Sequence, residues 1–183
     1  MGPFETERLL LRPLRLADLD DIFALIYTDP DVYRLYSSLG SNKDAVRARL
    51  IHYENAPGDD FGRLGVVLKE TGALIGQVHL DPYVDTYERL PGAHPLFQSI
   101  EVELAFAFGK EYWGQSLACE ACQRCIEYAF LELKLPRLVN GIHSENERSI
   151  RFHRRLGYTI HTNTKTTSSV NIYAVLDNHL LES

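Results

Sequence analysis

The segment with the clearest chemical capacity is Glu101-Val102-Glu103-Leu104-Ala105-Phe106-Ala107-Phe108-Gly109-Lys110-Glu111-Tyr112-Trp113-Gly114-Gln115-Ser116-Leu117-Ala118, which reads as a strand passing through a tight turn into a helix. Such a junction presents unpaired backbone N–H groups at the positive end of the helix. It is a natural anion site, and a diphosphate is its usual guest. Every strand-loop-helix unit has such an end, so on physics alone an ordinary packed crossover explains it equally well. Downstream, Cys119, Cys122 and Cys125 share a two-residue spacing that invites a metal reading. They fall inside one helical pattern with no fourth ligand nearby, which points to small buried residues packing on a sheet, and no metal is expected. Arg148, Arg151 and Arg155 fall on one helix face and fit either a solvated surface or an anion contact.

The elements that must position these residues follow from periodicity. Leu9 to Leu14 reads as a strand stopped by Pro13, and Leu19, Ile22, Phe23 and Ile26 as an amphipathic helix with Asp18, Asp20 and Asp21 at its positive end. A second helix should begin at Ser41, with Asp44 at capping-box spacing, and run through Val46, Leu50 and Tyr53. Leu64 to Lys69 and Ala73 to Leu80 form a predicted hairpin with Gly72 at the position needing positive φ. Asp81 to Gln98 is a long polar loop, Ile100 to Phe108 a strand, and Leu117 to Leu133 the longest helical pattern. Leu138 to Ile142 reads as a buried strand, Asn146 to Leu156 as a helix closed by Gly157, and Tyr158 to Ile160 and Val170 to Leu176 as two final strands. Uneven alternation with hairpins at both ends predicts an α/β fold with a mixed sheet.

Composition bounds the function. The 183 residues, 45% of them apolar, suit one domain spanning 1–183. With 19 basic against 25 acidic residues and no basic block, nucleic acid is not an expected partner. No segment has the apolar length of a membrane helix or signal peptide, and the three cysteines form no disulfide framework, so a cytoplasmic protein without membrane contact is expected.

From Glu103 to Tyr158 the chain resembles the GNAT family of N-acetyltransferases, especially the branch that acetylates ribosomal-protein amino termini. The resemblance rests on Val102-Glu103-Leu104, the Tyr112-Trp113-Gly114 turn, Ala118 and Glu120-Ala121. A second signature follows in Glu145-Asn146, Ser149-Ile150-Arg151 and Leu156-Gly157-Tyr158, and Thr6-Glu7-Arg8-Leu9-Leu10-Leu11-Arg12 resembles the start of this branch. Ser116 stands where the family usually has glycine, Gln115 where it often has arginine or lysine, and Lys110 where this branch commonly has proline.

The resemblance implies a curved sheet of about six or seven strands, splayed where coenzyme enters, with helices on both faces. It implies acetyl-coenzyme A as co-substrate, held by the backbone at Phe106, Ala107 and Phe108, by the turn Trp113, Gly114, Gln115, Ser116, Leu117 and Ala118, and by Asn146, which is also a plain N-cap by type. A protonated amine must lose a proton before it can attack a thioester, which makes Glu103 the candidate base. Glu101 shares its strand face, so alternation leaves the choice between them open. His153 occupies the place where many family members have the tyrosine that protonates the leaving thiolate, with Ser149 a weaker substitute. The acceptor amine is left open among a protein amino terminus, a lysine and a small amine, and the acids Asp81, Asp85 and Glu88 would suit a cationic one. Two other readings stay open, an inactive acyl-coenzyme A sensor and a protein-interaction domain of the same fold. An edge strand in the tail could support a homodimer.

Overall fold

The computed structural model describes residues 1–36, 40–55, 60–85, 99–163 and 170–181. The chain forms two compact units, Met1–Leu80 with Ala105–Cys125, and Asp81–Leu104 with Ile126–Ser183. Most of the predicted loop, including Glu88, lies outside the described residues. Among them, no helix is long and apolar enough to cross a membrane.

One sheet has the order β1 (Phe4–Glu5), β2 (Leu9–Pro13), β3 (Gly62–Leu68), β4 (Leu74–Asp85) and β5 (Ser99–Phe108). The ladders from β1 to β4 are antiparallel, with Leu11 opposite Val66 and Gly65 opposite Gln77. In β2, Leu9 and Leu11 are fully buried while Leu10 and Arg12 are half-buried, the period-two pattern that fixes register. Gly72 closes the β3–β4 hairpin at φ 72°, as predicted. Strand β4 continues through Asp85, beyond the predicted end at Leu80.

In the first unit, α1 (Leu19–Ile22) opens into a wider π turn over Phe23–Tyr27. A short α2 (Pro30–Tyr33), absent from the periodicity reading, is capped by Asp29, whose Oδ1 accepts from Asp31 N–H at 2.9 Å. Helix α3 (Lys43–Asn55) starts later than the expected Ser41, because Asn42 makes the cap by accepting from Ala45 N–H at 3.0 Å. These helices bury Leu19, Ile22, Ile26, Tyr27, Val32, Val46 and Leu50 in one cluster with Leu14 and Ala107. Helix α4 (Leu117–Glu127) also ends in a π turn, Tyr128–Glu132. It buries Cys122 and Cys125, and burial raises both thiols, Cys125 to about 12. These are packing residues, uncharged at neutral pH.

The second unit holds β6 (Arg137–His143), α5 (Glu147–Arg155), β7 (Thr159–Thr162) and β8 (Val170–Asp177), with β8 central in an antiparallel sheet of order β6-β8-β7. Gly157 ends α5 at φ 93°, as the C-cap reading requires. The α/β class is the one expected. Eight strands are found among the described residues, and the two-residue β1 is too short to leave an alternation in the sequence.

Polar groups enter the first unit's interior as a hydrogen-bonded set. Gln77 Nε2 donates to Tyr27 Oη at 3.3 Å and Tyr36 Oη at 2.9 Å, while Arg63 donates to Tyr36 Oη at 3.3 Å and to His79 Nε2 at 3.4 Å. Burial, reinforced by the positive charges of Arg63 and Arg49, drives His79 well below 6.5.

Two predictions follow from this packing. A Cβ on Gly76 would stand 2.6 Å from the Ala107 carbonyl oxygen and 2.8 Å from the Phe108 ring. Gly76→Ala should therefore cost about 1–3 kcal/mol in urea unfolding, and an unchanged midpoint would show that β4 and β5 yield freely. His79 is held neutral in the fold, so on acidification the unfolded chain takes up its proton first. Its contribution is complete above the unfolded value near 6.5 and is lost as pH falls toward the depressed folded value. Urea midpoints should decline below that pH, and decline less steeply in His79→Gln.

Candidate functional site

The turn predicted to bind an anion is built from both sides. Gly109 N–H bonds to Ile75 O at 3.1 Å, anchoring the end of β5 to β4, and a 3-10 turn at Lys110–Tyr112 follows. Trp113 packs on the helical core, and its Nε1 donates to Phe108 O at 2.9 Å, drawing the turn back over the strand it left. Lys110, where the branch commonly has proline, reaches Asp31 at 2.5 Å and Asp29 at 4.0 Å. Gln115 folds back along the turn, its Nε2 donating to Glu111 O at 2.9 Å.

Gly114 and Ser116 both occupy the left-handed region, at φ 76° and 62°. Glycine takes this conformation freely, and a Cβ at Gly114 would find nothing within 4 Å. Ser116 takes it at a cost of about 1–2 kcal/mol. The first α4 N–H with a helical partner is that of Glu120, bonded to Ser116 O at 3.1 Å. Among the described residues, no acceptor faces the N–H groups of Gly114, Gln115, Ser116, Leu117 or Ala118. Leu117 is buried and pins the first turn of α4, whereas Gly114, Gln115 and Ser116 are exposed. Open space at Gly114, N–H groups without a protein acceptor among the described residues and a positive helix end fit a diphosphate.

In the first unit, Phe106, Ala107 and Phe108 lie on β5, with Ala107 and Phe108 buried and Phe106 half-buried. The Phe106 and Phe108 rings are 6.4 Å apart. Strand β5 ends its sheet, so one edge has no strand laddered on it among the described residues. Such an edge can accept an extended chain.

In the second unit the two carboxylates separate. Glu101 is 4% exposed and grips Arg137 through both oxygens, at 2.9 Å to Nε and 2.5 Å to Nη2. That hydrogen bond raises Arg137 above its ordinary range. Glu103 is half-buried. Alternation left the pair equivalent, and the ion pair commits Glu101 to structure. Asn140 on β6, buried and unremarked in the sequence, donates its Nδ2 to Leu104 O, while its Oδ1 is buried with no donor to it among the described residues.

Asn146 is the N-cap of α5, its Oδ1 accepting from Ser149 N–H at 3.1 Å. His153 is buried, with Nδ1 2.8 Å from Ser149 O and 3.3 Å from Ser149 Oγ. The carbonyl can only accept, so Nδ1 carries the proton. Burial lowers His153 below 6.5, against the opposing Ser149 bond. Arg148, Arg151 and Arg155 are exposed, and Arg151 pairs with Glu147 at 3.0 Å. Asp81 is half-buried.

A family model described as an acetyltransferase (GNAT) domain matches residues 8–159. The chain belongs to the GNAT acetyltransferase family. Among GNAT relatives, the uncharacterized N-acetyltransferase p20 of Bacillus licheniformis is 28% identical over 162 residues, covering 86% of this chain and 83% of the relative. An acetyltransferase of Agrobacterium tumefaciens shares the fold with a TM-score of 0.70 at 23% identity, over 96% of this chain and 94% of that one. A candidate ribosomal-protein-serine acetyltransferase of Vibrio cholerae does so with a TM-score of 0.66 at 20% identity, over 97% and 99%. This GNAT chain is thus an N-acetyltransferase, as its signatures implied.

Glu101→Ala strands a half-buried guanidinium. It should lower unfolding free energy by about 3 kcal/mol, and an unchanged urea midpoint would deny the ion pair its structural role.

Proposed function

We propose that residues 1–183 act as one domain that moves an acetyl group from acetyl-coenzyme A to a primary amine by direct attack. The observation that carries this reading is the run of N–H groups from Gly114 to Ala118 with no acceptor among the described residues, on a chain whose family uses acetyl-coenzyme A. The turn receives the diphosphate. The backbone of β5 at Phe106 to Phe108 takes the pantetheine arm as an added strand, and Asn146, the cap of α5, is the further coenzyme contact that the family resemblance implies.

Glu103 removes a proton from the ammonium group, directly or through water. The amine nitrogen then attacks the thioester carbonyl, and a backbone N–H between Phe106 and Phe108 stabilises the oxyanion. As the tetrahedral intermediate collapses the C–S bond breaks, the nitrogen gives up its second proton to solvent, and coenzyme A leaves as thiolate, taking a proton from solvent. His153, buried and held neutral on Ser149, serves the packing of α5 in this reading. Direct attack needs no cysteine nucleophile, and Cys122 and Cys125 are buried thiols. The acceptor we assign is a ribosomal-protein type of amino terminus, supported by the resemblance of the opening Thr6 to Arg12 segment and of the two ordered signatures to that branch.

Thiol release from acetyl-coenzyme A in the presence of amino-terminal peptides tests this. Glu103→Gln should lower kcat by about 10²–10⁴-fold and remove the rising limb of the pH profile. The Cys119→Ala/Cys122→Ala/Cys125→Ala variant should keep its turnover per folded molecule. Coenzyme binding without transfer to any amine would overturn the enzyme mechanism in favour of a sensor.

A further inference from the structure

The turn is held from outside by residues that play no part in the mechanism above. Glu120, in the first turn of α4, accepts from Thr6 Oγ1 at 2.5 Å, from the Arg8 backbone N–H at 2.8 Å and from Arg8 Nε at 2.7 Å. Burial pushes the Glu120 carboxyl up, and the combined bonds from Thr6 and Arg8 outweigh it and hold the group below its usual range. Fixed through Nε, the guanidinium reaches across with Nη1 to the Gln115 carbonyl at 3.1 Å. Arg8 and Glu120 are 112 positions apart, so no local pattern connects them.

The consequence lies in one peptide plane. In a trans peptide the carbonyl and the following N–H point in opposite directions. Drawing Gln115 C=O toward Arg8 therefore aims Ser116 N–H away from it. Ser116 pays for its φ of 62° with a crowded Cβ. Rotating the 115–116 plane would return Ser116 to negative φ, and would put a carbonyl where the N–H now stands. A carbonyl facing a diphosphate repels it.

We infer that the Glu120–Arg8 pair is a positioning device that blocks this rotation, and so allows serine to stand in the diphosphate turn where the conformation favours glycine. The inference rests on the coenzyme reading of the turn. It makes Arg8 and Ser116 energetically coupled, although Arg8 grips the neighbouring residue's carbonyl and not Ser116 itself.

Isothermal titration of the full chain with coenzyme A, and with pantetheine, which lacks the diphosphate, tests the coupling, with thermal melts confirming that each variant is folded. Arg8→Gln should weaken coenzyme A binding about tenfold and leave pantetheine binding unchanged. In a Ser116→Gly background the same change should cost less than about threefold, because glycine has no preference for the rotated plane. Arg8→Lys should be as weak as Arg8→Gln, since one ammonium cannot reproduce the fork that spans Glu120 and the Gln115 carbonyl. Equal losses in both backgrounds, equal losses for pantetheine, or full rescue by lysine would each overturn the positioning role. Failure of the unaltered chain to bind coenzyme A would instead overturn the reading beneath it, and this inference with it.

Discussion

Backbone N–H groups are seldom left without acceptors, because each one removed from water and unpaired costs free energy. The N–H groups from Gly114 to Ala118 have no protein acceptor among the described residues, and Gly114, Gln115 and Ser116 are exposed, where water can satisfy them. Much of the first unit can be understood as what holds that turn open. Gly109 is tied to β4, Trp113 binds the last carbonyl of β5, and Leu117 is sunk in the core. Gly76 lets β5 approach β4 at a distance no side chain would permit. The turn is then fixed at both of its ends, and conformational freedom is confined to the peptides between them.

The three departures from the family pattern acquire physical meaning in this setting. Lys110 replaces proline's rigidity with ion pairs to Asp31 and Asp29. Gln115 turns its amide back onto Glu111, so it braces the turn instead of offering a charge. Ser116 keeps the left-handed backbone that glycine would take without cost. The geometry is retained while the residues that usually produce it are not.

Local patterns were legible in the sequence, and long-range ones were not. The hairpin at Gly72, the cap at Asn146, the stop at Gly157 and the helix carrying the cysteines each depend on residues a few positions apart, and each stands where expected. Asn42 in place of Ser41 as the α3 cap is a one-residue error between two good capping types. Helix α2 is a single turn, too short to show a period. The equivalence of Glu101 and Glu103 could not be broken from alternation, because the partner that separates them is Arg137, 36 positions away. The same limit hid Arg8 and Glu120, both visible as family-like residues and neither readable as neighbours of the turn.

The central claim is that the N–H groups of Gly114 to Ala118 receive the diphosphate of the coenzyme. Amide nitrogen–proton NMR spectra recorded during titration with coenzyme A address it residue by residue. The largest shifts should fall on the amides of Gly114, Gln115, Ser116, Leu117 and Ala118, with the proton resonances moving downfield as hydrogen bonds form. Saturable binding that leaves these amides unmoved and shifts others instead would contradict it.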